Sequence, residues 1–268
     1  MLLNMTPSGN ELQRKMLLTH SGKVRNVFII VLLCMVPIGL FIGSYYAKPI
    51  VDPSGEDSDC MKYVAKIIVD NGGNIASVGT AFLVANNAGE QSGYLFTARH
   101  VIDGTVSEQV YLEFPRITDE NDNPLRTTAS IVWATPVSFD GADLQTLRYD
   151  VALIKLDDIS VLPEDAIGFM IGQEVNVKDE ISIHGFPGGE QYFSTGIVSN
   201  ESYSNCEDLF VMNIQIDHGL SGSPVYKEKE QEVIGIAIAS ENGTDLMNIA
   251  LKMSRVMALL DRDGISLN

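Results

Sequence analysis

Positive charge is the first thing this chain has little of. It carries 18 Lys and Arg against 35 Asp and Glu. Four of the bases (Arg14, Lys15, Lys23, Arg25) and one acid (Glu11) fall in residues 1–47. That leaves 14 bases against 34 acids in residues 48–268, a balance of −20. A surface that acidic repels nucleic acid phosphate, and no basic stripe interleaved with aromatics opposes that reading. Nucleic acid is therefore not expected as a partner; solubility and cationic partners are favoured. Cysteine is scarce as well, with only Cys34, Cys60 and Cys206. Their spacing fits no metal site, and neither a metal nor another cofactor is expected. Long-period repeats and low-complexity tracts are missing. The chain is 45% hydrophobic and 20% charged, an ordinary globular composition with room for one large domain or two small ones.

One stretch lacks charge altogether. VFIIVLLCMVPIGLFIGSYYA, residues 27–47, has no charged side chain in 21 positions. A helix of about 20 residues crosses a bilayer core. The basic residues before it predict a cytoplasmic segment 1–26, a transmembrane signal anchor 27–47 and an exported remainder. Tyr45 and Tyr46 sit where an interfacial anchor would sit. A cleaved signal peptide competes with this reading, but the run is long for one, and Tyr45 or Ile42 would occupy the place that needs a small residue. Cys34 reads as a cysteine of the membrane core. A Gram-negative periplasm suits the acidic, disulfide-poor exported part; a cell surface suits it equally. Cys60 and Cys206 leave two alternatives open, a disulfide that an oxidising compartment permits or two unbridged thiols.

Residues 48–60, KPIVDPSGEDSDC, have a linker composition. Helical periodicity is then missing from almost all of residues 61–268. In its place come short runs rich in Val, Ile, Phe and Tyr: residues 62–69, 78–85, 93–98, 110–114, 130–137, 150–156, 180–186, 192–199, 209–216, 223–227, 233–240 and 247–253. About a dozen short strands without intervening helices predict an all-β sandwich or barrel. The exception is LKMSRVMALLDRDG, residues 251–264, where Leu251, Val256, Leu259 and Leu260 recur near helical spacing and Gly264 is placed to end a helix.

Histidine is rare enough to test one by one. Residues 48–268 contain His100, His184 and His218. The stretch GLSGSPVY, residues 219–226, is either a tight polar turn or a turn that carries a nucleophile. A serine nucleophile needs a base, usually His, and the His is usually oriented by a carboxylate. His218 is only three residues before Ser221 and reads as lining the mouth of a pocket or facing solvent. His184, in ISIHGF, reads as an ordinary strand residue. His100 ends the strand-like GYLFTAR and would be held rigidly at the edge of a core. No His follows Ser221, which excludes the order Ser, Asp, His, and position 223 is Ser where the Gly-x-Ser-x-Gly elbow needs Gly. Asp150, opening the apolar run DVALIKL, is either a polar strand start or a buried carboxylate facing something basic.

Taken together, GTAFLV (79–84), LFTARHV (95–101), YDVALIKL (149–156), GLSGSPVY (219–226) and VIGIAIAS (233–240) resemble the trypsin-like, chymotrypsin-fold serine proteases. The likeness is strongest to the bacterial exported high-temperature-requirement proteases. The stretches stand in that family's order and cover residues 61–262. The resemblance implies two six-stranded antiparallel β-barrels with a C-terminal helix, forming a protease domain over residues 61–268, after the N-terminal membrane helix. It implies Ser221 as nucleophile, His100 as general base and acid, and Asp150 as the residue orienting the imidazole. The backbone N–H groups of Gly219 and Ser221 would form the oxyanion hole. Ser223 becomes a turn residue behind the nucleophile. Gln215 matches the pocket base, Ile238, Ala239 and Ser240 match one wall, and His218 the mouth, so a small or apolar residue is expected before the scissile bond. Protein or peptide substrates follow. The Ser-Gly-Ser-Pro order resembles the glutamate-specific branch, but the wall lacks that branch's pocket histidine.

The chain departs from the family in three places. Arg99 stands where Ala is usual. Leu220 stands where many animal relatives have the Asp that binds a new N-terminus, so zymogen cleavage is not expected. Only 42 residues follow Tyr226, too few for the peptide-binding domain of the high-temperature-requirement proteases. The competing functional reading is a non-catalytic protease-fold module tethered to the membrane for binding or sensing.

Overall fold

The computed structural model describes residues 59–70, 75–103, 105, 108–136, 144–238 and 248–268. The predicted anchor at 27–47, almost all of the linker, Ala239 and Ser240 lie outside them. No helix among the described residues is long and apolar enough to cross a membrane.

Six strands form the first barrel: β1 (Val64–Asp70), β2 (Ile75–Ala85), β3 (Gln91–Thr97), β4 (Gln109–Thr118), β5 (Pro124–Ala134) and β6 (Ala152–Leu156). They close in the order β1-β2-β3-β6-β5-β4, all neighbours antiparallel. Two short helices, α1 (Arg99–Ile102) and α2 (Leu144–Leu147), decorate it. The alternation in β4, with Val110, Leu112 and Phe114 buried between more exposed neighbours, is that of a strand with one face on a core. Gly79 is required by packing: a Cβ there would lie 2.6 Å from Val101 Cγ1, so only glycine lets α1 seat on β2.

The second barrel uses β8 (Glu180–Gly185), β9 (Tyr192–Asn200), β10 (Leu209–Met212), β11 (Pro224–Lys227), β12 (Glu232–Ile238) and β13 (Ile249–Lys252), preceded by the two-residue β7 (Met170–Ile171). The ring β11-β8-β9-β10-β13-β12 closes through β11 and β12. Both barrels thus follow the expected six-stranded antiparallel plan. The addition is β7, which the sequence did not announce. It pairs in parallel with the edge of β12, while the preceding Phe169 exchanges backbone bonds with Leu83 and Ala85 of β2, so the link between the barrels is stitched to both. Two residues of strand carry too little periodicity to be read.

The run VIGIAI in β12 is apolar throughout because the strand is buried on both faces. Ile234 and Ala237 face the second barrel's own core with Phe210, Val225 and Ile183. Val233, Ile236 and Ile238 belong to the larger core shared with the first barrel. A register shift opposite Val225/Tyr226 re-phases the strand between the two. Phe169 sits within the shared core, its ring 5.5 Å from Tyr63, 5.9 Å from Phe82 and 4.8 Å from Tyr226. The C-terminal helix forms as expected, α3 (Met253–Asp263), burying Met253, Val256, Leu259 and Leu260. Gly264 ends it in the left-handed conformation, φ 72°.

Candidate active site

His100 lies in α1, directly after β3. The register Thr97↔Ala152 between β3 and β6 runs antiparallel, so the residues just after Thr97 face those just before Ala152. That brings His100 to Asp150. The carboxylate takes two bonds from one residue: Oδ1 accepts from the His100 backbone N–H at 2.9 Å, and Oδ2 lies 2.7 Å from Nδ1. Asp150 is 1% exposed. Of the two readings left open for it, the buried carboxylate facing a base is the one the structure shows. A turn after α2 presents it: Asp150 N–H donates to the Leu147 carbonyl, and the Thr135 hydroxyl anchors this segment by donating to the Tyr149 carbonyl. The acceptor at Oδ2 places the ring proton on Nδ1, which leaves Nε2 as the basic nitrogen.

Ser221 is buried, in the turn between residues 217 and 223. The turn is seated on the first barrel. Thr80 N–H donates to the Ser221 carbonyl at 3.0 Å. A Cβ on Gly222 would lie 2.2 Å from Thr80 O, 2.5 Å from Thr97 Oγ1 and 2.8 Å from Ala98 N. The turn thus packs on the backbone that leads into His100. Gly219 has φ 100°, and a Cβ there would come within 2.3 Å of Phe186 O, so only glycine fits. Among the described residues, neither the Gly219 nor the Ser221 N–H donates to a protein acceptor. The His218 carbonyl accepts from Gly188 N–H at 3.1 Å. In a trans peptide that turns the Gly219 N–H to the opposite side.

The pocket residues fare unevenly. Gln215 is exposed, its Nε2 3.5 Å from Asp217 Oδ1, and His218 is exposed. Ile238 is 4% exposed, packed into the shared core and paired with Ile249. The alternation of a strand buried on both faces aims it inward. The run expected as strand over 209–216 ends at Met212. Asn248 takes over beyond it, its backbone carbonyl accepting from Met212 N–H and its side chain from Ile216 N–H at 3.0 Å. No disulfide joins Cys60 to Cys206; both are thiols, Cys60 buried in a short 3-10 turn and Cys206 half-buried in a tight turn. Among the described residues no cluster of His, Cys, Asp and Glu could hold a metal.

His184 is a strand residue, as expected, but an unusual one. It lies in β8 at 1% exposure with its Nδ1 unpaired. Burial, reinforced by the nearby Arg116 charge, pushes its pKa down to about 3. The Gln191 carboxamide, with its oxygen inward, accepts from His184 Nε2 at 3.2 Å and Arg116 Nε at 3.0 Å. Ser223, the second serine of the turn, is fully buried with its hydroxyl unpaired. The sequence reading passed over Thr80, Thr97, Phe186 and Asn248. A threonine or phenylalanine in or beside a strand carries no signal of its own.

The model of the trypsin-like peptidase domain matches residues 79–236. Among solved structures, the serine endoprotease of Yersinia pestis superposes with a TM-score of 0.53 at 21% identity. The alignment covers 77% of this chain, which spans 65% of that protein. The Rv3671c protease of M. tuberculosis in its inactive form superposes at 0.52 with 17% identity, covering 81% of this chain and 98% of that one. Deg5 does so at 0.52 with 17% identity, covering 74% and 87%. These likenesses speak for the fold. A search of curated protein sequences returns no relative. The chain belongs to the trypsin-like peptidase family, and its two barrels share the fold of these solved proteases.

Proposed function

We propose that this member of the trypsin-like peptidase family is a membrane-anchored, extracytoplasmic serine endopeptidase that works through Ser221, His100 and Asp150. The observation that carries the reading is the two-point grip of buried Asp150 on His100, with the Ser221 turn packed on the same strand end. Ser221 Oγ attacks the substrate carbonyl while His100 Nε2 takes its proton. The carbonyl oxygen, now negative, is held by the Gly219 and Ser221 N–H groups. Collapse expels the amine, which leaves with the proton from His100, and the acyl group stays on Ser221. Water then attacks, giving its proton to His100, and a second collapse releases the acid and restores Ser221. Asp150 keeps the imidazole in the productive tautomer and stabilises its charged form. The anchor and the location rest on the sequence of residues 27–47.

The test is labelling of the full chain by a fluorophosphonate, which reacts only with an activated serine. Label is expected on the wild type and on Ser223→Ala, and not on Ser221→Ala. Equal labelling of wild type and Ser221→Ala, or none on either in the presence of casein, would favour the binding-module reading.

A further inference from the structure

We propose that Thr80 is a positioning residue of the second barrel's turn: its side chain holds the Gly219 peptide so that the neighbouring N–H faces the substrate. The inference rests on Gly219 and Ser221 supplying the oxyanion donors.

Gly219 has no side chain to hold it and sits at φ 100°, where its backbone is free to turn. Its amide can aim correctly only if the peptides on both sides are pinned. The preceding one is pinned by Gly188 N–H on the His218 carbonyl. The following one is pinned from the other barrel, by Thr80 Oγ1 donating to the Gly219 carbonyl at 2.8 Å. The same hydroxyl accepts from Phe186 N–H at 3.2 Å, two residues before Gly188. One side-chain oxygen therefore ties together the turn and the segment that holds its other end. Thr80 is fully buried, so neither bond is shared with solvent. Its own backbone is fixed twice more, by N–H to the Ser221 carbonyl and by its carbonyl accepting Thr97 Oγ1 at 2.7 Å. The space exists because residue 185 is glycine: a Cβ there would lie 2.7 Å from Thr80 Oγ1 and 2.1 Å from Ser223 Oγ. Two of these bonds, to the Ser221 carbonyl and from Thr97, need only a backbone at position 80. The two that reach Gly219 and Phe186 need the hydroxyl.

Saturation labelling of the full chain with a fluorophosphonate separates probe binding (KI) from the phosphonylation step (kinact). Thr80→Ala and Thr80→Val should lower kinact by about tenfold or more with KI within about twofold. Thr80→Ser, which keeps the hydroxyl, should stay within about threefold of wild type. The acid limb of the pH profile, which reports His100, should not move. Hydrogen exchange of a peptide spanning 217–222 should quicken in Thr80→Ala and not in Thr80→Ser. Should Thr80→Val fail to fold, the Ala and Ser variants decide. Persisting label on Ser221→Ala would sink the nucleophile assignment itself. Loss of label on Ser221→Ala with wild-type kinact in Thr80→Ala would overturn the role of Thr80 alone. So would failure of Ser to rescue, a loss confined to KI, a shifted acid limb, or unchanged exchange at 217–222.

Discussion

The first barrel holds its part of the site through side chains. A carboxylate of 1% exposure grips an imidazole and its backbone N–H, and the antiparallel register of β3 and β6 brings the two together. The second barrel holds its part through peptides. The turn at 217–223 is fixed by glycines that tolerate no Cβ and by backbone bonds to Thr80 and Gly188. The difference follows from what each must present. A base is a side-chain atom and needs a side-chain partner. An oxyanion donor is a backbone N–H, and only the chain path can aim it. Changes at the Asp150–His100 pair should therefore alter protonation chemistry, whereas changes in the turn, or at the Thr80 hydroxyl that pins it from the first barrel, should alter geometry with the chemistry intact.

That contrast breaks most visibly at Asp150. Asp150→Asn keeps the shape but offers the imidazole the wrong partner, and turnover should fall by about 10³–10⁴. A fall under tenfold, measured on a chromogenic ester or by labelling rate, would mean His100 does not depend on its carboxylate. Gly219→Ala is the matching change in the second barrel. Its Cβ would meet Phe186 O, and the turn must move. A loss of about 10²–10³ is expected, with the pH profile of what remains unchanged. A shifted profile would erase the distinction between the barrels.

The smallest effect concerns stability and sharpens the comparison from the second barrel's side. His184 titrates near 6.5 when unfolded and near 3 when folded. Between those values the unfolded chain binds the extra proton. Stability is therefore full above about pH 6.5 and is lost as pH falls toward 3, with a slope approaching about 1.4 kcal/mol per pH unit. Depressed carboxylates such as Glu113, held down by Lys66, and Asp157, held down by Thr128, add their loss only below their ordinary range. His184→Gln should flatten urea-derived stability between pH 4.5 and 6.5 (a window below the usual His pKa). An unchanged slope there would mean that burial does not keep His184 neutral.

Much of this was legible in the residues. Runs of β-branched and aromatic residues marked nearly every strand, because half-buried pleated surfaces select them. The scarcity of histidine narrowed the base to His100. What misled was local sameness. VIGIAIAS reads as one strand, yet which of its residues face the second barrel's own core and which the shared one depends on a neighbouring barrel. LFVMNIQI reads as one strand too, but beyond Met212 side chains replace the ladder: Asn213 Oδ1 takes the Ile197 N–H and Asn248 Oδ1 takes the Ile216 N–H.

The sequence alone determined the strand-rich architecture, the C-terminal helix with its glycine stop, and the identity of His100, Asp150 and Ser221 as candidates. The strands and the helix depend on periodicity and turn chemistry, which are local; the three site candidates rest on the resemblance of five ordered stretches to a known family. Only the tertiary structure decided that Asp150 is a buried partner of His100, that Cys60 and Cys206 remain thiols, and that Thr80 reaches Gly219 across 139 positions of chain. Those are matters of distance between segments far apart in sequence, and barrel closure and register set such distances.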